Sequence, residues 1–202
     1  MIELKNVGKS YGTNCIFSGI DLAINDGEFV VFSGKSGCGK TTLLNLIGGI
    51  DKVTSGSIIV DGKDITKLRN KTEYFRSKVG FLFQNFALDE SKTVKQNLGM
   101  TVKSSRTDIT IDDALNRVGL LGKKDEYVYT LSGGEQQRTA LARLIIKKCD
   151  IILADEPTGS LDRENADTVM KILKALNKRG KTVILVTHDE QLKKSGDRLI
   201  EL

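Results

Sequence analysis

The octapeptide Gly34-Lys35-Ser36-Gly37-Cys38-Gly39-Lys40-Thr41 limits what this chain can fold into more than any other stretch. It matches the phosphate-binding pattern G-x-x-x-x-G-K-[ST] in full. Before it stands FVVFSG (29–34), an apolar, β-branched run. After it, TTLLNLIGGI starts at Thr41 and sets Leu43, Leu46, Ile47 and Ile50 on one helical face. Strand, glycine-rich turn and helix in that order let backbone N–H groups converge on an anion at the positive end of the helix. Gly34, Ser36, Gly37, Cys38, Gly39 and Thr42 are thereby candidates for contact with a nucleotide's phosphates. Lys40 is expected to reach the β- and γ-phosphates, and the Thr41 hydroxyl to ligate Mg²⁺.

The rest of the chain supplies the frame that such a turn needs. SIIV (57–60), VGFLF (79–83), DIILAD (150–155) and TVILVT (182–187) are short apolar runs bounded by turn residues, as in strands buried on both faces. Helical patterns alternate with them. EQQRTALARLIIKK (135–148) puts Leu141, Leu144 and Ile145 on one face, with lysines at the end that favours cations. ENADTVMKILKALNKRG (164–180) ends on Gly180, a helix-stop residue. This alternation predicts an α/β fold with a mostly parallel sheet. Residues 2–12 and 17–32 read instead as strands joined by tight turns, with NDG (25–27) as one turn. Residues 87–135 are polar, weakly helical and without a buried-strand run, so they read as a helical insert.

Several side chains fall where strands end. Asp155 and Glu156 close the DIILAD run, where two acids must be solvated, paired or bound to metal. Beside a phosphate loop, Asp155 would hold Mg²⁺ through its water shell and Glu156 would act as general base on an attacking water. His188, the single histidine, follows TVILVT and emerges at the same sheet edge, where open α/β sheets bind ligands. It could donate to a γ-phosphate. Gln84 follows VGFLF in the same way. Its carbonyl could meet Mg²⁺ or the attacking water, and position alone does not separate that from an ordinary strand-end residue. One feature is left over. LSGGEQQR (131–138) is a second glycine-rich turn before a helix, about 90 residues after a phosphate loop that is already complete.

Composition narrows the setting. With 202 residues, 39% of them hydrophobic, the chain can bury one domain's core. Runs such as FVVF and IIL are too short to span a bilayer, and the first residues lack the apolar core of a signal peptide. The three cysteines, Cys15, Cys38 and Cys149, have no metal-ligand spacing and fit a reducing compartment. A net charge of +5 separates nucleic acid, anionic membrane and nucleotide poorly.

Taken together, these motifs resemble the nucleotide-binding subunits of ATP-binding cassette (ABC) proteins, over essentially the whole chain and in the family's order. GKSGCGKT corresponds to the Walker A loop, Gln84 to the Q-loop glutamine, LSGGEQQR to the family signature, ADE (154–156) to the end of Walker B, GSLD (159–162) to the D-loop and His188 to the switch histidine. The resemblance implies a P-loop NTPase (RecA-like) core and one nucleotide-binding domain over 1–202. Within it, 1–86 and 136–202 would form the core with an antiparallel β subdomain, and 87–135 a helical subdomain. It implies ATP and Mg²⁺ as ligands, Tyr11 stacked on adenine, and Asp162 beside the nucleotide. It also implies a role for the second turn: Ser132, Gly133 and Gly134 would cap the ATP held by the phosphate loop of a second cassette. A head-to-tail dimer, homomeric or heteromeric, follows, with ATP between its halves.

QNFALDESKTVKQNL (84–98), DEPTGSLD and LSGGEQQRTALAR look like the subgroup of lipoprotein-release, macrolide-export and antimicrobial-peptide-export ATPases and the cell-division ATPase. That implies a peripheral subunit on the cytoplasmic face of the membrane. Its permease would be a separate polypeptide docking near Gln84–Leu98, and peptide, lipid and drug are all open as cargo. Phe86 and Leu88 read equally as docking residues and as ordinary packing. Ser160 departs from the asparagine frequent in the subgroup. A purely signalling ATPase, or a soluble one acting on nucleic acid or ribosomes, is the alternative. The chain lacks the heptad arms, paired cassettes and zinc cysteines of such soluble classes. The basic stretch KLRNKTEYFRSK (67–78) is the one feature that favours nucleic acid; it reads more simply as a solvated face, and no nucleic-acid partner is expected.

Overall fold

A computed structural model of the chain describes residues 1–159 and 161–202; Ser160 lies outside the described residues. Two sheets organise it. The first is antiparallel, in the order β2-β1-β4-β5, from β1 (Ile2–Tyr11), β2 (Asn14–Ile24), β4 (Ser55–Val60) and β5 (Lys63–Asp64). The second is parallel throughout, in the order β6-β7-β8-β3-β9, from β3 (Phe29–Ser33), β6 (Val79–Leu82), β7 (Ile151–Asp155), β8 (Thr182–Val186) and β9 (Arg198–Glu201).

Strands β3, β7 and β8 are buried at every residue, as their continuous apolar runs predict. Their side chains alternate between two cores. Phe29 and Val31 face one core, shared with helices α4 (Gly133–Ile146) and α5 (Arg163–Asn177). Val30 and Phe32 face the other, with α1 (Lys40–Ile47) and the antiparallel sheet. The parallel sheet thus divides the molecule, and its carboxyl-terminal edge is the seam where both layers meet loops.

Two expectations change. SIIV (57–60) lies in β4 of the antiparallel sheet, where Ser57 and Ile59 are half-buried and only Ile58 and Val60 are buried. A half-buried strand and a fully buried one share the same four-residue apolar run, and only the position of the second sheet separates them. Ile50 is 50% exposed and lies past the end of α1 at Ile47, so it does not extend the buried face of Leu43, Leu46 and Ile47. Leu44 completes that face instead.

Between β6 and α4 the chain runs through α2 (Val94–Gly99), α3 (Ile111–Arg117) and three short 3₁₀ turns. Thr93 caps α2 with a full capping box to Gln96, and Thr110 caps α3. The Asn97 amide, fully buried, accepts from Asp89 N and donates to the Asp89 and Thr93 carbonyls, which pins the loop ahead of α2. The last helix is short, α6 (Glu190–Lys193).

Candidate functional site

Because β3, β6, β7 and β8 run parallel, the segments that follow them emerge at one edge: the loop 34–41, Gln84, Asp155–Glu156 and Thr187–His188. They line a cleft of about 400 Å³ that includes Ser36, Lys40, Thr41, Gln84, Glu156 and His188.

The phosphate loop is built to receive an anion. Gly39 precedes α1 with φ +98°, and a Cβ there would stand 2.6 Å from Ile16, so glycine alone fits. No side chain caps α1, and its first turn carries no acid. Its leading N–H groups and positive end are therefore available to phosphate. Lys40 is buried, and its Nζ donates to the Gly34 and Lys35 carbonyls at 2.9 Å each. A phosphate oxygen would offer that ammonium a stronger, charge-assisted bond. The Cys38 sulfur lies 3.7 Å from the same Nζ.

Thr41 Oγ1 donates to Asp155 Oδ1 at 3.1 Å. Burial pushes the Asp155 carboxyl above its ordinary range, with the Thr41 bond opposing and Glu156 adding to the rise. A buried carboxylate beside a hydroxyl, with the Gln84 amide on the same cleft, is a hard-oxygen donor set that suits Mg²⁺.

Glu156 has φ +43°, a backbone conformation that costs a non-glycine residue about 1–3 kcal/mol. Its surroundings hold it there. Its N–H donates to the Val186 carbonyl, Thr187 Oγ1 donates to Oε2 at 3.3 Å, and His188 Nδ1 bonds Oε1 at 2.7 Å. The Glu156 side chain is 14% exposed and that of His188 74%, so the pair bridges protein and solvent. With Nδ1 on the carboxylate, Nε2 is the nitrogen available to a ligand.

The signature residues stand apart. None of Ser132, Gly133 and Gly134 lines this cleft. Ser132 caps α4, accepting from Glu135 N, while Glu135 accepts from Ser132 N. Among the described residues the Ser132 O–H and the Gly133 and Gly134 N–H groups have no partner. A Cβ at Gly133 would meet nothing within 4 Å, and its φ is not positive. Nothing inside one chain requires glycine there. Gly134 does have an internal reason, since a Cβ would stand 2.9 Å from the Asn165 amide. Asn165 is in turn held by Asp162, which caps α5. Asp162 is thus placed beside the signature helix and not in the cleft.

Tyr11, 52% exposed, is also outside the cleft lining and is tied to Asp51 through its hydroxyl. Phe86 and Leu88 pack, partly buried, against the larger core, which supports the packing alternative for both. Phe86 and Ala87 have positive φ, and Arg143 donates to both their carbonyls. Sequence patterns offered no signal for Ile16 and Val186 in the cleft, for Thr187 on Glu156, or for Arg143 on the 86–87 turn. Only the last two could have been sought, as polar residues beside a motif.

The family described as ABC transporter matches residues 17–159. The macrolide export ATP-binding/permease protein MacB of Campylobacter jejuni is 40% identical over all of this chain and 33% of its own length. The bacitracin export ATP-binding protein BceA of Halalkalibacterium halodurans is 37% identical over 94% of this chain and 79% of its own. The chain therefore spans about a third of the macrolide-export relatives it matches. Among solved structures, the dimeric, post-hydrolysis ATP-binding cassette MJ0796 bound to ADP and Pi superposes with a TM-score of 0.90 at 36% identity, covering all of this chain and 94% of that one.

Proposed function

The chain belongs to the ABC transporter family, and on that premise we propose that it is the ATP-hydrolysing subunit of a membrane exporter. One observation carries the reading. Lys40, the Thr41–Asp155 pair, Gln84 and the Glu156–His188 pair meet at a single sheet edge, and Glu156 is held there in a strained conformation.

In this reading the loop 34–41 and Thr42 bind the phosphates, and Lys40 turns from its own carbonyls to the β- and γ-phosphates. Thr41, Gln84 and Asp155 would hold Mg²⁺, which would offset phosphate charge. Glu156 takes a proton from the water that attacks the γ-phosphorus as the bond to the β–γ bridging oxygen breaks. His188 orients Glu156 through Nδ1 and offers Nε2 to the γ-phosphate. Products are ADP and phosphate.

The unpartnered donors of Ser132, Gly133 and Gly134 are assigned to the ATP of a second copy packed head to tail, with Asp162 and Asn165 supporting that turn. Loss of the γ-phosphate removes those contacts and lets the two copies separate. The related structure named above is dimeric and holds ADP and Pi.

No helix among the described residues is long and apolar enough to cross a membrane. We place the chain peripherally on the cytoplasmic face, against a membrane-spanning partner. The docking place proposed is a groove of about 430 Å³ next to the segment 84–98. Phe75, Phe83, Met100 and Val102 make its apolar wall, and Arg76 and Lys147 its basic rim. An amphipathic segment of the permease carrying an acidic residue fits it. Expression of a tagged Glu156→Gln chain in its native cell, with mild solubilisation in ATP and Mg²⁺, should recover a polytopic membrane protein in stoichiometric amount. Recovery of nucleic acid or ribosomes without such a protein would overturn the export reading.

A further inference from the structure

A base stacked on Tyr11 can sit only where the ring is held, and the ring is half exposed, with polar groups to fix it. Its hydroxyl donates to Asp51 Oδ2 at 2.5 Å. Asp51 Oδ1 accepts from Lys9 Nζ at 2.8 Å and from Lys52 N at 2.6 Å. Lys9 also donates to the Lys52 carbonyl at 2.8 Å, and its Nζ lies 4.3 Å from the centroid of the Tyr11 ring. Lys9 is only 7% exposed, and a lysine so buried needs a partner. Burial pushes the Asp51 carboxyl up, but the bonds from Lys9, Tyr11 and Lys52 N outweigh it and hold it at about 2. The Asp51 carboxylate is therefore ionised throughout the physiological range.

The arrangement links two parts of the nucleotide site. Tyr11 ends β1. Asp51 belongs to the turn that follows the phosphate-loop helix, where its own N–H and that of Ile50 bond back to Asn45 of α1. The Lys9 ammonium occupies one face of the ring by cation–π attraction, so a base can stack only on the other.

We propose that Asp51 and Lys9 are positioning residues for the nucleotide base: together they fix the height and the open face of the Tyr11 ring relative to the phosphate loop. This rests on the reading of Tyr11 as the base-stacking residue. Base stacking and phosphate capture are then in register before a nucleotide arrives.

The test compares ATP with ribose 5-triphosphate, which has the phosphates and no base, by calorimetric titration of the full chain in Mg²⁺. The native chain should prefer ATP, and Tyr11→Ala should abolish that preference. Asp51→Asn should weaken ATP binding roughly tenfold, the size of a lost base stack, and leave ribose 5-triphosphate within about twofold. Tyr11→Phe keeps the ring and breaks only its bond to Asp51. It should move the preference in the same direction, and it serves where Asp51→Asn lowers stability. If Tyr11→Ala loses the preference while Asp51→Asn and Tyr11→Phe keep it, Asp51 merely braces a turn and the proposal fails. If Tyr11→Ala also keeps it, the stacking role of Tyr11 falls too.

Discussion

The chain has two glycine-rich turns that each open a helix, and they are finished differently. At 34–41 the helix start is left without a side-chain cap, a buried lysine waits on its own loop carbonyls, and a carboxylate, an amide and a histidine line the same cleft. At 131–138 the helix is fully capped by Ser132 and Glu135, a further salt bridge from Lys123 holds Glu135, and Gly133 faces open space. The first turn carries the groups that the proposed triphosphate hydrolysis would use, and it lacks a cover. The second has donors and room but no chemistry of its own. A helix cap is worth about 1 kcal/mol, enough to fix the second turn in shape before anything binds to it. The difference fits the proposal that one turn is a site and the other a lid for a site elsewhere.

The largest expected effect sharpens the chemical side of this contrast. Glu156→Gln should lower turnover by roughly 10²–10⁴-fold while leaving ATP affinity nearly intact. A steady-state phosphate-release assay beside equilibrium nucleotide binding checks both. Near-normal turnover would remove Glu156 from the mechanism.

Gly133→Asp addresses the other turn. The open space at Gly133 admits the side chain, and an acid in the first turn suits the helix dipole. Thermal unfolding should therefore change by less than about 0.5 kcal/mol. Turnover should fall about 100-fold, because the new carboxylate would face a γ-phosphate. A stable mutant with full activity would break the comparison.

The two turns also differ in their acids. Asp155 is pushed up by burial, so near neutral pH its charge opposes folding, and stability is gained as pH falls through its raised value. Asp155→Asn should stabilise the nucleotide-free chain by about 1 kcal/mol while weakening Mg²⁺-dependent ATP binding. Glu135 is held down by the bonds from Lys123 and Ser132. Its contribution is present above the ordinary carboxylate pKa and is lost as pH falls through its lowered one. Glu135→Ala should cost about 0.5–1 kcal/mol at neutral pH, with the difference from the native chain disappearing in acid. Denaturant titrations at several pH values would separate the two signs.

Much of this was legible in the sequence because the informative segments are buried on both faces. FVVF, IILAD and TVILV allow no solvent side, so their order and the residues after them fix one sheet edge. SIIV misled because half-buried and fully buried strands share the same short apolar run. Strand β9 carries no such run: three of its four residues are exposed at the sheet's edge. The Lys9–Tyr11–Asp51 cluster left no readable signal, and the Arg143 bonds to Phe86 and Ala87 left only the place of Arg143 beside a motif. They join residues 40 to 57 positions apart through polar contacts that leave no periodic trace.

The central claim is that each signature turn serves the other copy's phosphate loop, and a mixing experiment tests it most directly. Lys40→Ala spoils the phosphate loop and keeps the signature; Gly133→Asp does the reverse. Each chain alone should be inactive. Mixed in equal amounts with ATP and Mg²⁺, half the dimers pair one chain of each kind, and each such dimer holds one intact composite site. Activity should then recover to about a quarter of the native value. A mixture as inactive as its two components would contradict the account.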